Sequence, residues 1–124
     1  MSFDLCVYHS TRPQTDEDAV NRYISYCEKE DLSPRIEPNE KVALFLKELT
    51  NQHPQMKDWP LDDIDDCPWN ADFDVSEGHA IMPLSFSRLE ELYLLIVSLA
   101  EKYGLFCVDP QSNKIVTAPP SIQK

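Results

Sequence analysis

One run, His79 to Val116, restricts the fold more than any other part of the chain. It reads His79-Ala-Ile-Met-Pro-Leu-Ser85, then Phe86 to Tyr103, then Gly104-Leu-Phe-Cys-Val-Asp109, then a turn and Lys114-Ile-Val-Thr-Ala118. Short apolar runs flank a segment of helical spacing, which predicts strand, helix, strand, strand. Ser87 is a candidate N-cap, and Glu90 three residues later completes a capping box. Glu90 and Glu91 fall in the first turn, where the helix dipole favours negative charge. Leu89, Leu92, Tyr93, Ile96, Leu99, Ala100 and Tyr103 form one apolar stripe. Leu94, Leu95 and Val97 widen it almost to a full circle, so the helix is expected to be covered on more than one side. Gly104 stops it, because glycine enters the left-handed region at no steric cost. The two flanking strands are expected to be parallel, joined by a right-handed crossover. Asp109-Pro-Gln-Ser-Asn113 reads as the turn of a closing hairpin.

Ahead of this unit, residues 3–9 alternate as a strand, with Phe3, Leu5, Val7 and His9 on one side and Asp4, Cys6 and Tyr8 on the other. The unbroken Leu5-Cys6-Val7 favours an interior place in the sheet. Thr15 or Asp16 caps a helix over 16–30 whose apolar residues are Ala19, Val20, Tyr23, Ile24 and Cys27. A loop containing Pro34 follows. Pro38 opens a helix over 38–52, with Val42, Phe45, Leu46 and Leu49 as its stripe and His53-Pro54 as its end. Pro119-Pro120 closes the last strand, and Ser121 to Lys124 form a tail.

Residues 54–78 differ in kind. Met56, Trp59, Ile64, Trp69, Phe73 and Val75 follow neither period, and Pro54, Pro60 and Pro68 interrupt them. Asp58, Asp62, Asp63, Asp65, Asp66, Asp72, Asp74 and Glu77 fall in this stretch, with no Lys, Arg or His between Asp58 and Glu77. A loop this long within a compact domain tends to be functional or disordered. Two tryptophans argue against disorder. The expectation is an ordered, irregular acidic arm, with Trp59 and Trp69 pinned into the body.

The chain has 124 residues and a formal net charge of −11. That length suits one domain. The charge argues against nucleic acid, whose phosphates need Lys and Arg, and against anionic membrane surfaces. No apolar run is long enough to span a bilayer, and the first residues show no export signal, so the cytoplasm is the expected location. Four cysteines stand singly at 6, 27, 67 and 107. They are expected to be reduced, with Cys6, Cys27 and Cys107 in the core and Cys67 the exposed thiol.

The residues offer little to catalysis. Asp62-Asp-Ile-Asp-Asp66 lacks the spacing, the glycine and the closing glutamate of a calcium loop. No Cys or His pair has zinc spacing, so no metal or other cofactor is expected. Cys67 sits among carboxylates, which disfavour a thiolate. There is no Gly-x-Ser-x-Gly and no phosphate-cradling glycine loop. Paired carboxylates acting as acid and base need one of the two buried, and nothing in the sequence predicts that. The arm suits recognition better. Carboxylates steer a basic partner, and aromatic residues anchor it. The candidate contacts are Asp58, Trp59, Asp62, Asp63, Asp65, Asp66, Trp69, Asp72, Asp74 and Glu77.

Cys67-Pro-Trp69, the strand His79 to Ser85 entering a helix, and Leu99-Ala100, Tyr103-Gly104-Leu105 and Val108-Asp109-Pro110-Gln111 together resemble a family of small bacterial immunity proteins. These accompany polymorphic and contact-dependent growth inhibition toxins. The resemblance covers about residues 58–120. It implies a non-catalytic cytoplasmic protein that neutralises one cognate toxin by binding it. A nuclease would fit, since its site is basic to hold phosphate.

The resulting expectation is a single α+β domain with a four-stranded mixed sheet (3–9, 79–85, 104–109, 114–118) and three helices (16–30, 38–52, 87–103). Its expected function is to bind a basic toxin domain. Two alternatives remain: a non-catalytic subunit of a homo-oligomer, and a small metal-dependent enzyme using the same carboxylates.

Overall fold

The computed structural model describes residues 3–28 and 37–119. The expected end of the first helix at 29–30, the Pro34 loop, Pro120 and the tail lie outside the described residues. The fold is α+β. Five strands, β1 (Phe3–Tyr8), β2 (Asp74–Val75), β3 (His79–Leu84), β4 (Phe106–Asp109) and β5 (Lys114–Thr117), form one open sheet in the order β2-β3-β1-β4-β5. Three α-helices accompany it: α1 (Asp16–Glu28), α2 (Glu40–Gln52) and α3 (Leu89–Lys102).

Every strand pair is antiparallel, which corrects the expected mixed sheet. The strands flanking α3 do run in the same direction, but β1 lies between them and pairs with both. Local sequence around α3 carries no signal for a strand inserted from residues 3–8. The added fifth strand, β2, is two residues long and pairs only with Ile81 and Ala80.

The interior place of β1 explains its apolar run. Leu5 and Val7 face one layer, with Phe45, Leu49, Met82, Leu92, Ile96 and Trp69. Cys6 and Tyr8 face the other, with Ala19, Tyr26, Ile81, Phe106 and Val108. The sheet is therefore covered on both sides, by α2 and α3 on one and by α1 on the other, and its central strand needs apolar residues at successive positions.

Helix α1 is rotated from its predicted face. Thr15 caps it reciprocally: its hydroxyl accepts from Asp18 N (3.0 Å), and Asp18 accepts from Thr15 N (3.0 Å). Ala19 and Tyr26 are buried and Arg22 half-buried, whereas Ile24 and Cys27 face outward. Tyr26 stacks on His79 at 4.0 Å, and Arg22 pairs with Glu37 at 2.8 Å. Those partners hold the turned face. Cys27 is thus the exposed thiol, and Cys67 is buried, the reverse of the expectation.

Helix α2 begins after Asn39, whose side chain accepts from Lys41 N. Helix α3 begins later than predicted. A 3₁₀ turn, Phe86–Arg88, precedes it, and the capping hydroxyl belongs to Ser85, not Ser87. At the other end Gly104 has φ 65°, Gly104 N donates to Glu101 O and Leu105 N to Ala100 O. This is the Schellman pattern, and nothing crowds the glycine, so its left-handed backbone is the reason for it. Lys102 and the Tyr103 hydroxyl both reach Glu48, tying α3 to α2. In the β4–β5 turn, Asp109 accepts from Gln111 N, and the Gln111 amide bonds both backbone groups of Asp4.

Candidate interaction surface

The acidic arm is ordered. Two 3₁₀ segments, Met56–Asp58 and Leu61–Asp66, carry its first half. Trp69 fastens the second half. It is 1% exposed, meets the Phe73 ring edge-on at 4.7 Å and donates Nε1–H to His53 O at 3.1 Å. Beside it, Asn70 N donates to Pro83 O and Ser85 N to Pro68 O, and Trp69 bridges to Leu84. The arm thus continues the edge of the sheet beyond β3. Gln55 accepts from Phe73 N, and Asp72 accepts from Lys57 N, closing the arm's base. Trp59 is half-buried against the core and donates to Asp63 O at 2.8 Å. Asp63 breaks the helical dihedrals of its segment, at φ −122° and ψ 20°, at the residue whose carbonyl takes the Trp59 hydrogen bond.

The candidate residues do not form one surface. Asp58, Asp62, Asp63, Asp65 and Asp66 are exposed on the first half, with Trp59 beneath them. Asp66 ends at the start of α3, where its carbonyl accepts from Arg88 (3.5 Å). Asp72 is exposed but engaged with Lys57 N. Asp74 is on β2, its carboxylate 3.9 Å from His79 Nε2. Glu77 is in the turn before β3, at the end of the sheet remote from Ser85. The length of β3, roughly 20 Å, separates Glu77 from the 58–66 group; Asp74 lies opposite Ile81, midway along β3, and Asp72 sits at the arm's base beside Lys57. Trp69 is withdrawn as a contact, because its ring lies in the core and cannot meet a partner.

Electrostatics distinguish the two ends. Asp63 has its carboxyl pKa raised, chiefly by a hydrogen bond shared with Asp66: like charges crowd on the turn. At the opposite end a carboxylate is engaged internally. Partial burial pushes Glu37 up, but hydrogen bonds from Arg22, Thr11 and Ser10 outweigh it and hold the group down at about 2. The same region joins His9 Nδ1 to Glu37 O, His9 Nε2 to Asn39, and His9 N to Gly78 O. A methyl group on Gly78 would stand 2.7 Å from Glu37 O, so only glycine permits that approach. Sequence spacing gave no sign of this network, because its members are far apart in the chain.

Ser76, His79 and Asp74 lie in a row that invites comparison with a hydrolytic triad. The Ser76 hydroxyl also accepts from Gly78 N and His79 N, and His79 is 2% exposed. The group holds the β2–β3 turn, and the half-buried Ser76 oxygen is already engaged by His79 and two backbone N–H groups. Among the described residues no group of three or more His, Cys, Asp or Glu is arranged to hold a metal ion. Burial raises the Cys6 and Cys107 thiols well above their ordinary range, which leaves them as core residues. No described helix is long and apolar enough to cross a membrane.

Sequence reasoning missed several exposed apolar residues near the arm: Leu61, Ile64, Phe86 and Leu94. A signal did exist for Leu94, since α3 has more apolar residues than one stripe needs. Comparison with protein-family models, curated proteins and solved structures gave no match.

Proposed function

We propose that this chain is an immunity protein of the cytoplasm, binding a basic toxin domain and blocking it by occupancy, with a nuclease the best chemical fit. The observation that carries this reading is the 58–66 half of the arm. Its carboxylates point outward from a turn that Trp59, Trp69 and Phe73 hold against the core. A fixed array of negative charge loses little entropy on binding and complements a phosphate-binding site. Asp58, Asp62, Asp63, Asp65, Asp66 and the exposed edge of Trp59 are the principal contacts. Asp72, Asp74 and Glu77 are peripheral to them.

The test uses the wild-type chain and an Asp62→Asn/Asp63→Asn/Asp65→Asn/Asp66→Asn variant as baits in native lysate at low salt, read by mass spectrometry. The expected result is one dominant basic protein retained by the wild type and lost by the variant. Its affinity should fall with added salt, mainly through slower association. Equal retention by both baits would remove the arm from the interface.

A further inference from the structure

We propose that the acidic turn is half of a composite surface whose apolar centre is Phe86 and Leu94, with Leu61 and Ile64 alongside, and that this surface takes a basic amphipathic helix. The inference rests on the reading of the chain as a binder of a basic protein, and it names the element that is bound. Four observations carry it.

First, the exposure is concentrated. Leu61 is 86% exposed, Leu94 62%, Phe86 55% and Ile64 39%. Single exposed apolar residues are ordinary, but these belong to the 61–66 segment and to the adjoining 3₁₀ turn and α3. Second, the elements are physically joined. Arg88, in the 3₁₀ turn before α3, reaches the Asp66 carbonyl, and Ser85 N donates to Pro68 O immediately after the acidic turn. Third, the surface has a shape. Phe86, Arg88, Leu89, Glu90, Glu91 and Leu94 line a shallow concavity of about 530 Å³. Phe86 is propped there edge-on against Phe3, at 6.4 Å. Fourth, the apolar excess of α3 predicts a second covered side, and Leu94 is exposed there among the described residues. It lies one turn from Glu90 and Glu91 and two from Glu101, all exposed.

The concavity holds Glu90 and Glu91, its one basic residue, Arg88, is paired with Glu91, and the acidic turn adjoins it through Asp66, so it selects its occupant by charge. The partner must offer apolar anchors flanked by Lys or Arg. A helix fits, since one apolar stripe with basic residues on both margins matches a groove bounded by acids. A second copy of the chain is disfavoured, because a two-fold contact would set these acids against themselves in a protein of net charge −11.

The probe is a synthetic helical peptide with leucines at helical spacing and lysines on both margins, labelled for fluorescence anisotropy. A control peptide of equal composition has its leucines out of helical register. The amphipathic peptide should bind at least about tenfold more tightly than the control. Amide shifts of isotope-labelled protein should cluster on 61–66 and 86–94. Phe86→Ser/Leu94→Gln should erase the preference and leave the weaker, salt-sensitive binding of the control. Leu94→Gln alone, at an exposed helical position, should reduce the preference even if Phe86→Ser impairs folding. Equal binding of the two peptides, lost in the four-aspartate variant, would overturn the apolar centre and leave the acidic reading standing. Binding of neither peptide would overturn both. A dimer in sedimentation that Leu94→Gln dissociates would give the face to a second copy and overturn the proposal.

Discussion

Glu37→Gln is the most informative single change in the body of the protein. The carboxylate accepts from Thr11 N (2.9 Å), Thr11 Oγ1 (2.8 Å), Ser10 Oγ (2.7 Å) and Arg22 Nη2 (2.8 Å). The Arg22 and Glu37 side chains are 12% and 19% exposed. Glutamine keeps the shape but removes the charge and replaces one acceptor with a donor. A carboxyl moved from 4.5 down to about 2 represents at most about 3 kcal/mol by linkage, and residual solvent screening reduces that to about 2 kcal/mol. The folded-state pKa is depressed, so this stability is fully present above pH 4.5 and is lost as pH falls toward 2. Urea unfolding of both proteins across that range isolates the effect, since relief of the general acidic repulsion is nearly common to both. The expected gap is about 2 kcal/mol at neutral pH, closing towards zero at the acid end. A gap that is absent at neutral pH, or that does not vary with pH, refutes the assignment.

Two further changes test the packing. Trp69→Ala removes the largest buried side chain of the arm and should cost about 3–5 kcal/mol in chemical denaturation. It should also make the 54–73 segment susceptible to limited proteolysis before global unfolding, whereas a cut rate unchanged from wild type would mean that Trp69 does not hold the arm. In the native protein a thiol reagent should modify Cys27 alone, with Cys6, Cys67 and Cys107 reacting only in denaturant. Rapid native labelling of Cys67 would contradict its placement.

The sequence signals that held are those whose cause is local. Gly104 ends α3 because the left-handed backbone is a property of one residue. Thr15 and Asp18 form their cap within one turn, and Leu5-Cys6-Val7 reports a strand with both faces covered. The readings that failed depend on residues distant in sequence. Cys27 lies on the apolar stripe of α1, but Tyr26 and Arg22 find His79 and Glu37, and the helix turns to meet them. Parallel pairing around α3 is the simplest outcome for a strand–helix–strand unit, and β1 prevents it by inserting between the two strands. The ten candidate contacts look continuous in sequence, yet Trp69 turns into the core, Asp74 pairs midway along β3 and Glu77 reaches its far end. Ser85 rather than Ser87 caps the approach to α3 because an extra 3₁₀ turn intervenes, and spacing alone does not distinguish the two serines.

Charge is paired unevenly across the surface. Glu37 has Arg22, and Glu48 has Lys102. Asp62, Asp63, Asp65 and Asp66 have no Lys or Arg side chain paired to their carboxylates among the described residues; Arg88 meets only the Asp66 backbone and gives its side-chain ion pair to Glu91. A turn that crowds like charges and is held by Trp59 and Trp69 cannot spread to relieve them. Added salt should therefore act in opposite senses on the free chain and on its complex. In the free chain it screens the repulsion and should raise the melting temperature by a few degrees. In the complex it screens attraction and should weaken binding. The Asp62→Asn/Asp63→Asn/Asp65→Asn/Asp66→Asn variant should melt above the wild type at low salt and converge with it at high salt. A wild type that melts higher than this variant at low salt would show that the carboxylates stabilise the fold, and a surface held together by its own charges has no stored repulsion for a basic partner to relieve.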